Sequence, residues 1–129
     1  MMKKFWIVLA VALVSGIAYA GDYADISIAD LKAAIAAKSV TLLDANGSGS
    51  WQSGHIPGAI DFTANKEKLA DLLPKDKDAL IVAYCGGPAC SAYKAAADVA
   101  KQLGYTNIKH LSAGIRGWKK TGEQTEKGS

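Results

Sequence analysis

Cysteine is scarce in this chain, with two thiols, Cys85 and Cys90, among 129 residues. Their surroundings lack the C-x-x-C-H of haem attachment and the second C-x-x-C that a zinc site would need. Histidine is as rare, and His55 and His110 both stand far along the chain from the thiols. Neither a metal centre nor a bound cofactor is therefore expected. An excess of one charge is missing too. Setting aside Lys3 and Lys4 leaves thirteen basic against twelve acidic side chains, a net charge near +1. So even a balance gives no footing for nucleic acid or for a strongly anionic partner. No internal repeat and no low-complexity segment is found.

What is present begins with a leader. Lys3 and Lys4 open the chain, Phe5 to Val14 is apolar and uncharged, and Ala18-Tyr19-Ala20 is a small-x-small cleavage signal. Those three parts make a secretory signal peptide over residues 1–20. The apolar run is short for a bilayer span, and no cysteine follows the cleavage position to carry a lipid anchor. The expected product starts at Gly21 and keeps 109 of the 129 residues, enough for one domain with one core. It is expected to be exported, periplasmic in a Gram-negative host, and free of the membrane after cleavage. In an oxidising compartment two cysteines are either a structural staple or a working pair kept reduced by a dedicated partner.

Helical and strand patterns alternate along the rest. Ser27 to Asp30 reads as a capping box opening a helix to about Lys38, with Ile28, Leu31 and Ile35 on one face. Val40 to Ala45 is a short apolar strand, followed by a Gly/Ser loop over Asn46 to Ser50 and then Trp51. Ile60 to Phe62 reads as a strand, and Asn65 as the cap of a helix from Lys66 to Leu73 that Pro74 closes. A buried strand over Leu80 to Tyr84 leads to Cys85, and a helix runs from Ser91 to Leu103 with Gly104 as its stop. Asn107 to Leu111 is a last strand, Arg116 to Trp118 a final helical turn, and Lys119 to Ser129 a polar tail expected to fray. Such alternation predicts one α/β domain with a mostly parallel central sheet and helices on both faces. Ligands of such sheets bind beyond the carboxyl ends of the strands, which is where Cys85 falls.

The segment Cys85-Gly86-Gly87-Pro88-Ala89-Cys90-Ser91 is the chemical centre of this reading. A thiol becomes a good nucleophile as the thiolate, and helix N-termini favour thiolates. A tight loop entering a helix turns several backbone N–H groups inward, Gly86 and Gly87 permit the dihedrals of such a curl, and Pro88 stiffens it. The loop is thus an anion cradle with a sulfur at one end. The plainer reading is a Cys85–Cys90 disulfide that staples a turn, although so short a loop gains little stability from closure.

Four stretches together resemble the single-domain rhodanese family of sulfurtransferase-like proteins, over residues 21–118, which leaves 119–129 as the tail. They are Leu42-Leu43-Asp44-Ala45, the "GHIPGA" stretch Gly54 to Ala59, Ala83-Tyr84-Cys85 with its loop, and Leu111 to Trp118, which is similar to an "L-x-G-G-x-x-x-W" segment. The resemblance implies that Cys85 is the nucleophile. It would carry sulfane sulfur as a persulfide between a small sulfur-containing donor and a thiol or protein acceptor. The six-residue loop matches sulfur transfer in that family. Phosphoryl chemistry is rejected because no Arg or Lys stands between Cys85 and Ser91. Asn46 stands where the family often has arginine, and Cys90 where arginine often closes the loop. With backbone amides alone to bind a dianion, thiosulfate:cyanide transfer is expected to be weak, and polysulfide or a persulfide the better donor.

Cys90 is expected to resolve a Cys85 persulfide, forming a Cys85–Cys90 disulfide and releasing sulfide, or to guard Cys85 against over-oxidation. Its plain alternative is a small buried residue at a helix start. Asp44 and His55 are read as structural supports, and Trp51 and Trp118 as packing residues. His110 receives no role. Two other function classes stay open: a non-catalytic binding module of the same fold, and a thiol-disulfide redox protein.

Overall fold

The computed structural model describes residues 19–20 and 23–128. Most of the leader assigned to residues 1–20 therefore lies outside the described residues. Six strands, β1 (Tyr19–Ala20), β2 (Tyr23–Asp25), β3 (Val40–Asp44), β4 (Ile60–Asp61), β5 (Leu80–Tyr84) and β6 (Ile108–His110), form one sheet in the order β1-β2-β6-β5-β3-β4. From β2 to β4 every pairing is parallel, and β1 alone runs antiparallel to β2. The helices are α1 (Ile28–Ala36), α2 (Ser48–Ser53), α3 (Phe62–Asn65), α4 (Leu69–Leu72), α5 (Tyr93–Gln102) and α6 (Gly114–Lys120). This is the α/β architecture that the alternation predicts.

The central strand β5 shows why both faces need helices. Ile81, Ala83 and Cys85 belong to one buried cluster, together with Phe62, Leu69 and the α5 residues Tyr93, Ala96, Ala97 and Ala100. Val82 and Tyr84 point the other way, into a cluster with Leu31 of α1, Ile56, and Ile115 and Trp118 of α6. Alternate residues of a strand face opposite sides, so a strand apolar at every position must be covered twice. Ala96, Ala97 and Ala100 are all fully buried, and a stripe of alanines lets α5 lie close to the sheet.

Ser27 caps α1 by accepting the Asp30 N–H at 3.0 Å, and Leu31 below it is fully buried, a burial that contributes about 2 kcal/mol. Gly104 follows α5 with φ +101°, the left-handed stop that glycine supplies.

Two segments differ from the sequence expectation. The Gly/Ser stretch is helical from Ser48, because Trp51 is anchored by a 2.9 Å bond from its indole N–H to the Ala59 carbonyl. Tertiary anchoring here overrides weak helix propensity. The helix expected over Lys66 to Leu73 starts earlier, at Phe62, and is broken by a 3-10 turn over Lys66–Lys68. Asp61, not Asn65, is the cap: its carboxylate accepts the Ala64 N–H at 3.3 Å, while Asn65 donates back to the Asp61 carbonyl.

The tail is also held. Glu126 exchanges two backbone bonds with His55 (2.9 and 2.8 Å), its carboxylate accepts the Gly58 N–H, and the Trp118 indole donates to the Gln124 carbonyl. The expected fraying is corrected because the Gly54–Gly58 segment needs those partners.

Candidate active site

Cys85 follows β5 directly at the carboxyl edge of the sheet and is 1% exposed. It is bonded to Cys90, the two Cα atoms being 6.3 Å apart. Gly86 and Cys90 are half-buried, Gly87 is buried, and Pro88, Ala89 and Ser91 face solvent. The helix after the loop begins at Tyr93, two residues later than the sequence suggests.

The loop is docked on α6. The Cys85 carbonyl accepts the Ile115 N–H at 2.9 Å and the Gly86 carbonyl accepts the Arg116 N–H at 3.0 Å. First-turn amides of a helix have no partner within it, and here they hold the loop's outward carbonyls. Within the loop, Cys90 N–H closes a turn on the Gly87 carbonyl at 3.1 Å. The N–H groups of Gly86, Gly87, Ala89 and Ser91 have no acceptor among the described residues, so the loop keeps unpaired backbone donors of the kind that bind anions.

The two loop glycines lie under Arg116, with ordinary van der Waals clearance above each. Neither adopts positive φ, so the expected need for unusual dihedrals is corrected. A Cβ on Gly86 would meet the Arg116 Nη2 at 3.4 Å and the Asn46 Oδ1 at 3.9 Å, and one on Gly87 would meet the Arg116 Cζ at 3.8 Å. Gly114 is the tighter point. It has φ +64°, and a Cβ there would fall 2.5 Å from the Gly86 oxygen and the Gly87 nitrogen. The helix start and the loop backbone touch directly, with no room for a side chain between them.

Asp44 does not reach the cysteines by any hydrogen bond among the described residues. It accepts from the Tyr84 hydroxyl at 2.7 Å and from the Asn46 N–H at 2.8 Å, and Tyr84 in turn accepts the Ile56 N–H at 3.0 Å. This buried chain ties the ends of β3 and β5 to the "GHIPGA" segment. Burial pushes the Asp44 carboxyl above its usual pKa, against the pull of the Asn46 N–H and the Tyr84 hydroxyl. Burial, and then the Asp44 charge, push the Tyr84 phenol far above its own. Tyr84 is thus a fastener on the face of the sheet opposite the Cys85 side chain. His55 is also remote from the thiols in function: it stacks on Trp51 at 4.2 Å, its Nδ1 lies 2.7 Å from the Trp51 carbonyl, and its Nε2 is 3.7 Å from Glu126.

Sequence reasoning missed two groups. Arg116 brings a guanidinium over the loop from a different element. Its signal was present in the Leu111–Trp118 segment, but a search confined to residues 85–91 cannot find it. The second is His110, at the end of β6 next to β5. It is 2% exposed, both ring nitrogens lack a hydrogen-bond partner, and it stacks on Tyr93 at 3.4 Å. Burial lowers its pKa below 6.5, with the Asp25 charge pulling the other way.

A depressed imidazole pKa has a definite sign. Below 6.5 the unfolded chain takes up a proton that the folded protein resists, so this contribution to stability is full above that pH and is lost as pH falls through the window beneath it. His110→Phe, which keeps the stack with Tyr93, is expected to reduce the fall in Tm between about pH 7.5 and pH 5 by several degrees. Thermal melts of the two proteins across that range check it, and an unchanged fall would mean that His110 does not carry the acid sensitivity.

The sequence profile of the Rhodanese-like domain family matches residues 27–121. Among curated proteins, the HTH-type transcriptional regulator Rv0324 of Mycobacterium tuberculosis is 36% identical over 95 residues, covering 72% of this chain and 40% of the regulator. This chain therefore spans less than half of that relative's length. Thiosulfate sulfurtransferase GlpE of Shewanella oneidensis is 30% identical over 100 residues, covering 75% of this chain and 93% of that protein. Among solved structures, the BH2092 protein from Bacillus halodurans superposes with a TM-score of 0.63 at 28% identity, over 80% of this chain and 76% of that one.

Proposed function

Since the chain belongs to the Rhodanese-like domain family, we propose that it is a sulfurtransferase working through Cys85. The observation that carries this reading is the placement of Cys85: first residue after the central strand, at the carboxyl edge of a parallel sheet, in a loop with unpaired amide donors. Once the Cys85–Cys90 bond is reduced, the Cys85 thiolate attacks the terminal sulfur of a polysulfide or persulfide donor. A new S–S bond forms, the donor's own S–S bond breaks, and the electron pair leaves on the shortened donor. The anionic persulfide is held by the loop amides until a thiol or protein acceptor takes the outer sulfur.

Cys90 offers the persulfide a second exit. Its thiolate attacks the inner sulfur at Cys85, the outer sulfur departs as hydrosulfide, and a Cys85–Cys90 disulfide remains. The sulfane sulfur is reduced, the two thiols are oxidised, and an external dithiol must reset the pair. The bonded pair seen here supports that end state. We place this chemistry outside the cytosol, in the periplasm of a Gram-negative host, on the strength of the leader at residues 1–20.

The test is peptide mapping by mass spectrometry of the reduced wild-type protein after brief exposure to polysulfide. An added sulfur on the Cys85 peptide, removable by reductant, is expected. The same bonded pair favours one rival, a thiol-disulfide redox protein, and a protein that only ever cycles between two thiols and a disulfide would give that rival the site.

A further inference from the structure

The Cys85–Cys90 bond must open before Cys85 can act, and its two sulfurs are not equally open to attack. Thiol–disulfide exchange passes through a mixed disulfide, and access decides which sulfur takes it. The attack is in-line, so the incoming thiolate approaches from the side opposite the bond that breaks. Cys85 is 1% exposed and belongs to the buried cluster that holds Phe62, Ala83, Tyr93 and Ala97. A thiolate aimed at Cys85 would have to arrive through that packing. Cys90 only borders the cluster and is half-buried, so an approach to it starts from solvent.

The surroundings of Cys90 suit a protein partner. Pro88, Ala89, Ser91 and Ala92 are all exposed, and from Ala79 to Tyr93 the chain carries no charged side chain. Arg116 stands to one side, over Gly86 and Gly87. The N–H groups of Ala89 and Ser91, on either side of Cys90, have no acceptor among the described residues. A carbonyl on a partner's backbone can satisfy them, as in other extended-chain recognition.

We infer that Cys90 is the entry point of the reductant, and that the uncharged loop tip around it docks a dithiol protein with an uncharged face of its own. The partner's thiolate bonds to the Cys90 sulfur, the Cys85–Cys90 bond breaks, and the electron pair leaves on Cys85 as thiolate. The partner's second thiolate then attacks its own bridged sulfur and frees Cys90. The partner ends as a disulfide, oxidised by two electrons, and the pair is reduced. Cys85 is therefore released first, while Cys90 still holds the partner. This deepens the reset proposed above but rests on the bonded pair alone.

Two readouts test it, both on the oxidised wild-type chain with no sulfur donor present, so that a failure of sulfur transfer leaves them intact. The first is brief exposure to mercaptoethanol, an alkylating quench, and fragmentation of the peptide that holds both cysteines. The earliest adduct is expected on Cys90, with the alkyl group on Cys85. An earliest adduct on Cys85, or on both alike, overturns the entry point. The second compares reduction rates with mercaptoethanol and with reduced thioredoxin as the protein dithiol. Ala89→Glu with Ala92→Glu is expected to slow thioredoxin at least about tenfold more than it slows mercaptoethanol, because a docked partner would desolvate the new charges. Equal slowing of the two reagents overturns the docking surface.

Discussion

Gly114→Ala is expected to destabilise the protein by about 2–5 kcal/mol and to lower Tm by roughly 10–25 °C. Two separate causes add. Gly114 sits at φ +64°, where an L side chain costs about 1–2 kcal/mol. The new methyl would also fall 2.5 Å from backbone atoms of Gly86 and Gly87, and overpacking against backbone costs about 1–3 kcal/mol more because nothing flexible can yield. Gly122→Ala separates the causes. Gly122 has φ +84° with nothing within 4 Å of its side-chain position, so it should show the conformational cost alone, on the order of 1 kcal/mol. Chemical denaturation of both variants gives the comparison. Equal losses would mean that α6 and the loop are not in direct backbone contact. The activity of Gly114→Ala should fall further than its stability, since the yielding partner is the loop that holds Cys85.

The second large effect is chemical. Reduced Cys85→Ser should gain no sulfur from polysulfide, with a transfer rate at least about a thousandfold below wild type. Reduced Cys90→Ser should still gain it and should hold it at least about tenfold longer, releasing little sulfide, because the resolving attack is gone. Time-resolved intact mass together with a sulfide assay reads both. A Cys90→Ser persulfide that decays as fast as wild type would leave Cys90 as a packing residue at the head of α5. Sulfur gain on Cys85→Ser would move the nucleophile elsewhere and end the mechanism.

The alternation of patterns made the parallel sheet legible, and the apolar run Leu80 to Tyr84 together with the two cysteines located the loop. The capping box at Ser27 was readable for the same reason: a side chain three residues from its partner is a local event. What escaped was non-local. Helix α2 owes its existence to Trp51 reaching Ala59, and Asp61 took the cap that Asn65 advertised. Gly86 and Gly87 looked like conformational residues, yet neither adopts positive φ, and the side chain that lies over them comes from about thirty positions on. Nothing near Cys85 in sequence announces Arg116, because helix α6 brings it to the loop through folding alone. His110 carried no local signal at all, since only packing makes a histidine dry.

The docking of the loop on α6 also sets where this site is free to change. The backbone of Gly86 and Gly87 touches Gly114 with no room between them, Cys85 is packed in the core, and the Cys90 N–H closes the turn on the Gly87 carbonyl. Between them Pro88 and Ala89 are exposed and touch none of these fixed parts by a side-chain hydrogen bond among the described residues. A new acceptor surface could therefore be written at those two positions while the sheet, the nucleophile and the helix beneath them keep their places. The loop is held to α6 by its backbone at one end and is exposed at its tip, which is where a protein of this shape can acquire a new client without refounding its fold.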